Sequence, residues 1–303
     1  MDNNLTLEDF KPVHRREIAI EKSYHRSTIY TVIDVLKKNK LAILCIFILG
    51  IIFLGAIFAF LSPYDPDVVD VTNKLQGISS SHLLGTDDLG RDLFTRALYG
   101  GRVSLLVGFS AMIVSVVVGT FIGTISGYVG GNIDTLCMRF VDMFLSVPSL
   151  LLIIVFYSFV SPTIITLVIM LAMFSWANVA RIVRAETLSL KERDYVLAAK
   201  TLGVSDFKII IRHIIPNLTS QIIVAASLSI ANAILDESAL SFLGYGVQLP
   251  KASWGSMLQT AQKYILYDPI LAIVPGILIL LTVLCFNILG DVLQHALDPK
   301  LNK

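Results

Sequence analysis

The sequence predicts an all-α membrane protein with about six transmembrane helices. Three observations carry that expectation. Of the 303 residues, 55% are hydrophobic and only 16% are charged, whereas a soluble domain carries about 25% charged residues. The charges are crowded into short segments that separate long uncharged runs. Those runs reach the length of about 20 residues that a helix needs to cross the hydrocarbon core.

The first 40 residues are polar and show no short apolar core followed by a small-residue cleavage site, so no cleavable signal is expected. Within them, residues 22–40 mix Ile29, Val32, Ile33, Val35 and Leu36 with Lys37, Lys38 and Lys40. That mixture predicts an amphipathic helix on the inner membrane surface. The first span is 41–61 and the second 103–128. The uncharged stretch 143–180 is long enough for two spans, with a tight hairpin at Ser161-Pro162-Thr163. The fifth span is 218–235 and the sixth 269–290. Backbone groups cannot stay unpaired in lipid, so each run is expected to be helical. Their length and Leu/Ile content exclude barrel strands.

Lys and Arg set the orientation. With both termini inside, the cytoplasmic pieces 1–40, 126–140, 181–216 and 291–303 hold 8, 1, 7 and 2 basic residues. The outer pieces 62–102, 161–163 and 246–268 hold 4, 0 and 2. The chain therefore divides into a cytoplasmic segment (1–40), a first span (41–61), an extracytoplasmic loop (62–102) and a core (103–303) that carries an inner loop at 181–216. A net charge of +1 with basic residues flanking apolar spans gives no reason to expect nucleic acid. Cys45, Cys137 and Cys285 are odd in number and scattered, and five histidines are dispersed, so neither a disulfide framework nor a metal site is expected.

The loop at 181–216 is too long and too patterned for a passive connection. Asp194 is a candidate N-cap. Tyr195, Ala198, Ala199 and Leu202 follow at helical spacing, and Gly203 stands where a left-handed cap ends a helix. Ser205 or Asp206 opens a second helix with an apolar stripe of Phe207, Ile210, Ile211 and Ile214, and Pro216 precedes the fifth span. A short helix of this kind wants a groove on a cytoplasmic protein or a place in the lipid interface; the pattern alone does not choose.

The run from Asp194 to Gly203, with Ile215-Pro216-Asn217, resembles the EAA loop of ABC-importer permeases, with Leu197 where the general pattern has Glu. Further segments resemble the C-type permease subunits of the dipeptide/oligopeptide/nickel branch. They are Leu84-Gly85-Thr86-Asp87 with Gly90-Arg91-Asp92, continued by Arg96, Gly101, Arg102 and Ser104, then Met138-Arg139 with Asp142 and Pro148, and Ala233 to Asp236 with Leu240 to Gly244. Trp254-Gly255 and Gly290-Asp291 with Leu297-Asp298-Pro299-Lys300 complete the set. The resemblance implies a type I ABC importer permease in a bacterial plasma membrane, with a homologous second permease subunit, two cytoplasmic ATPase subunits and an extracytoplasmic substrate-binding protein. It implies that Tyr195, Ala198, Ala199, Leu202 and Gly203 couple to an ATPase. It also implies that the chain is no enzyme and binds no cofactor, ATP and Mg being used by the partners. The sequence agrees in having no GxxxxGK[ST] phosphate loop. The solute implied is a peptide, with nickel or another metal chelate as the alternative.

Ionisable residues near the spans need partners or water. Asp142 is expected to pair with Arg139 or Arg181, and Asp291 to pair or cap locally. Asp236 and Glu237 are pathway candidates, able to face a cationic group, a vestibule or the partner subunit. The segment from Leu84 onward either docks a partner and closes an outer gate, or folds against its own subunit. Gly119, Gly123 and Gly127 suggest close helix packing. A stand-alone secondary transporter would leave the patterned inner loop unexplained. A membrane enzyme finds no HExxH, acidic metal cluster or Ser/His/Asp set.

Overall fold

The computed structural model describes residues 28–297. It shows helices throughout, and among the described residues only one isolated bridge, Thr86 with Asp92, stands in for any sheet. Residues 22–27 of the expected amphipathic segment and the motif residues after Leu297 lie outside the described part.

Helix α1 (Thr28–Lys38) ends at Asn39, whose side chain accepts hydrogen bonds from the Leu41 and Ala42 amides and caps α2 (Lys40–Ile57), the first span. This satisfies two of the amides that a helix start leaves unpaired. The outward side of α2 is a wall of large apolar residues, among them Leu44, Phe47, Ile51 and Leu54.

Helix α3 (Leu93–Val129) begins ten residues before the expected span. Its 37 residues make a rod of about 55 Å, against a hydrocarbon thickness of about 30 Å. The early start has a local cause: Asp92 caps α3 by accepting from the Thr95 amide at 2.7 Å, so the loop at 62–102 becomes helix at residue 93. α3 and α6 (Ile164–Leu190) form the central seam of the bundle. A Cβ at Gly119 would lie 2.6 Å from Val179, at Gly123 2.5 Å from the Ala180 carbonyl, and at Gly127 2.8 Å from Thr187. The three glycines let the two backbones touch, as their spacing suggested.

The third span is not one helix. α4 (Gly131–Leu145) and α5 (Ser149–Tyr157) meet at an angle of 79°. Pro148 stands at the corner, with no amide to continue α4 and a ring that crowds the preceding turn. Neither piece alone reaches across the bilayer. The hairpin before α6 falls where expected, and Thr163 and Thr166 form a capping box there.

α6 runs on to Leu190, so the connection to α9 starts at Lys191 rather than at 181. Helix α7 (Asp194–Thr201) follows. The expected second amphipathic helix is not separate: α8 (Asp206–Ile209) passes through a π turn at Ile210–Ile214 into α9 (Ile215–Phe242). Pro216 does not break it, because it follows directly on the π turn, where the Ile215 amide reaches back to Ile210 and the regular i→i−4 ladder is already interrupted. Helix α10 (Trp254–Ala261) caps the far end, and α11 (Ile270–Leu297) returns. Among the described residues five helices are long and apolar enough to cross a membrane, and the bent pair makes up to six.

Candidate functional site

The α7 turn is built from its own chain. Leu202 ends α7; the Gly203 amide then donates to the Lys200 carbonyl at 3.0 Å and the Val204 amide to the Ala199 carbonyl at 3.1 Å. Those two bonds are a Schellman cap, which requires a left-handed residue between them. Gly203 supplies it with φ +78°. No atom approaches the position of a Cβ there, so the demand is on the backbone alone.

Val196 and Ala199 point inward and pack with Ile209, Ile214 and Leu218. This corrects two expectations. Ala199, 8% exposed, belongs to the internal core and not to the same open face as Ala198. Asp194 is the first residue of α7 and Arg193 occupies the cap position. The open side of the turn carries Tyr195, Leu197, Ala198, Leu202 and, beyond Gly203, Phe207 and Ile211. Leu202 is 83% and Phe207 75% exposed. The stripe expected on the second helix is thus divided, with Ile214 inward and Phe207 and Ile211 outward, because the π turn rotates the register. Tyr128 at the end of α3 donates to Asp206 at 2.7 Å, and Lys191 donates to the Gly127 carbonyl at 3.0 Å. The turn is therefore tied to the central seam while its apolar side stays open.

Near the same end, Arg181 pairs with Asp142 at 2.8 Å, one of the two pairings expected, and Arg184 forks onto Asp134. Asp291, expected to pair or cap locally, is exposed within α11, and no side chain pairs with it among the described residues.

At the α10 end the two pathway candidates part company. Glu237 is fully buried. Its carboxylate accepts from Ser104 of α3 at 2.9 Å and from Ser241 at 2.7 Å. The Ser104 oxygen in turn accepts from the Trp254 amide at 3.2 Å, and that of Ser241 from the Val247 amide at 3.1 Å. Glu237 thus joins α3, α9 and α10 within the subunit and does not line an open path, which corrects the expectation for it. Asp236, its neighbour, is half-buried, and no side chain or backbone donor reaches its carboxylate among the described residues. Ser104 and Ser241 stand in segments that carry the family resemblance, but single hydroxyls in apolar runs carry no pattern that would assign them a shared carboxylate.

The segment before α3 folds on itself. Asp87 accepts from the Leu89 and Arg91 amides and from the Arg91 guanidinium at 2.8 Å, and Arg96 reaches both Asp87 and the Pro66 carbonyl. Gly90, with φ +76°, passes so close to the Asp70 carbonyl that no side chain fits. Asp92, besides capping α3, pairs with His82 at 3.0 Å. The motif residues are internal struts, as the second of the two readings of this segment has it. Asp88 is the exception: one of its oxygens is buried without a donor. Burial first, and the neighbouring Asp87 charge second, push its carboxyl above the usual range.

Residues 119–303 match the family described as binding-protein-dependent transport system inner membrane component. Residues 28–77 match the N-terminal TM domain of oligopeptide transport permease C. The chain is 43% identical over 267 residues to the dipeptide transport system permease protein DppC of Alkalihalophilus pseudofirmus, covering 88% of each chain. It is 40% identical to the oligopeptide transport system permease protein OppC of Bacillus subtilis, again over 88% of each. The glutathione transport system permease protein GsiD of Pectobacterium atrosepticum is 40% identical, over 84% of this chain and 85% of that one. A solved structure of the inward-facing MetNI methionine ABC transporter shares the fold, with a TM-score of 0.55 over 66% of this chain and 94% of that one, at 16% identity. A multi-pass helical bundle, an open apolar turn between α6 and α9, and matches of this extent make the chain a member of the family of binding-protein-dependent transport system inner membrane components.

Proposed function

We infer that the chain is a permease subunit of an ATP-driven ABC importer that takes up peptides through a bacterial plasma membrane. Both termini and the α7 turn face the cytoplasm, in keeping with the excess of Lys and Arg in those segments. A homologous second permease subunit completes the path, two ATPase subunits dock below, and an extracytoplasmic binding protein delivers the solute. ATP hydrolysis belongs to the partners.

The observation that carries this reading is the α7 turn. Its apolar side, from Tyr195 to Leu202, is open, while its other side is fixed to the bundle core through Val196 and Ala199. An open patch of this kind is a protein-docking surface, and its stiff attachment lets movement of the docked ATPase reach α6 and α9. ATP and solute then shift an inward–outward equilibrium by their differential affinities for the two forms. Peptides are favoured as solute because similar chains are named for dipeptide, oligopeptide and glutathione transport.

Purification in mild detergent tests the assignment. Two ATPase subunits and a second permease subunit are expected to copurify, and the reconstituted assembly to import peptides only with ATP. A chain that purifies alone and transports without ATP is a secondary transporter instead.

A further inference from the structure

The uncovered faces of the spans are not alike. On α2 they carry Leu44, Phe47, Ile51 and Leu54; on α3, Leu106, Ile113, Val117 and Phe121; on α11, Ile273, Ile277, Leu280 and Leu284. These surfaces suit lipid or another apolar partner. Helix α9 breaks the rule. Its buried side holds Val224, Ile230, Ile234 and Glu237, while Ser229, Asn232 and Asp236 remain open or half-open on the opposite side. Their spacing of three and then four residues aligns them on one face of the helix. The side chains of all three lack hydrogen-bond partners among the described residues, although polar side chains at membrane depth require them. Lipid does not supply such partners.

We propose that Ser229, Asn232 and Asp236 form a polar track on the translocation path that holds the backbone amides and the protonated amino terminus of a peptide. This rests on the importer reading and deepens it. Asp236 offers a carboxylate to an ammonium group, and Asn232 offers both a donor and an acceptor, as a peptide bond requires. The three residues span about 10 Å along the helix at 1.5 Å per residue. An extended chain of about three residues covers that length. Glu237 holds α9 against α3 and α10 from behind and so fixes the direction in which Asp236 points.

The test uses the complete reconstituted importer, free of native cysteines, and a panel of di- to pentapeptides. A cysteine at Asn232 is expected to react with a water-soluble, charged thiol reagent and to be protected by the best-transported peptide. Asp236→Asn is expected to raise the half-saturating concentration of that peptide about tenfold, equivalent to about 1.4 kcal/mol, and Asp236→Glu to restore most of it. Both variants should retain the second permease subunit. An unreactive cysteine overturns the proposal, since the face is then covered by lipid or by that subunit. Equal behaviour of Asp236→Asn and Asp236→Glu overturns the role of charge. An unaltered assembly that imports no member of the panel with ATP overturns the importer reading itself, whatever the labelling shows.

Discussion

Ser104 of α3 donates a hydrogen bond to Glu237 of α9 at 2.9 Å, across 133 positions of sequence. The same serine oxygen takes the amide of Trp254, whose indole donates to the Ala97 carbonyl at 2.9 Å. A fully buried carboxylate thus has hydroxyl donors at both oxygens and ties three helices together. Ser104→Ala removes one donor and leaves the Trp254 amide without that acceptor. Leaving such groups unpaired costs about 1–3 kcal/mol each, so the thermal midpoint of the purified protein is expected to fall clearly below that of the parent. A variant as stable as the parent would show that the network contributes nothing.

Gly203 is held at φ +78° with no side chain near it. A left-handed conformation costs a β-branched residue about 1–2 kcal/mol, whereas Asn tolerates it. Gly203→Val is therefore expected to raise the ATP hydrolysed per peptide imported at normal membrane abundance, while Gly203→Asn stays near the parent ratio. The two ratios measured side by side decide the point; equal values would place the constraint elsewhere.

The α3–α6 seam makes a sharper structural prediction. A methyl group at Gly123 meets the Ala180 carbonyl at 2.5 Å, and backbone cannot move aside cheaply. Gly50 in α2 has open space around it. Gly123→Ala is expected to lower folded yield and thermal stability, with Gly50→Ala unchanged, as read by size-exclusion profile and melting in detergent.

Asp88 gives a pH-linked prediction. Its carboxyl ionises above the ordinary value of 3.8 in the folded chain, chiefly through burial. Ionisation therefore costs more in the folded than in the unfolded state, and the penalty is complete at pH values above the folded-state pKa and relieved as pH falls through it toward 3.8. Asp88→Asn is expected to raise the melting temperature at pH 7 and to lose that advantage under acid. A lower melting temperature at pH 7 would mean that the charge has a partner it needs.

Much of the fold was legible because lipid demands long uncharged runs, and the hairpin at Ser161–Thr163 and the cap at Gly203 follow from Pro and Gly chemistry. The bend at Pro148 lies near the start of the uncharged run, and its first arm, with Asp134, Arg139 and Asp142, is too charged to read as part of a span. Pro216 misled in the other direction, because the π turn before it already interrupts the ladder that its missing amide would have broken. In the α7 turn, spacing grouped Ala198 with Ala199, but adjacent residues on a helix point about 100° apart, and packing on Ile209 and Ile214 claimed only the second. Asp236 stood out as a charge, but its alignment with Ser229 and Asn232 was obscured because hydropathy averages over both sides of a helix.

Site-specific cross-linking tests the central claim, that the α7 turn is the surface an ATPase grips. Single cysteines are placed at Ala198, Leu202 and Ala199 in the assembled importer and treated with a short thiol cross-linker. Ala198 and Leu202, on the open side, are expected to join to the nucleotide-binding subunit, and buried Ala199 to give little product. Failure of both open positions, with reactivity only toward reagents that partition into lipid, would contradict the account.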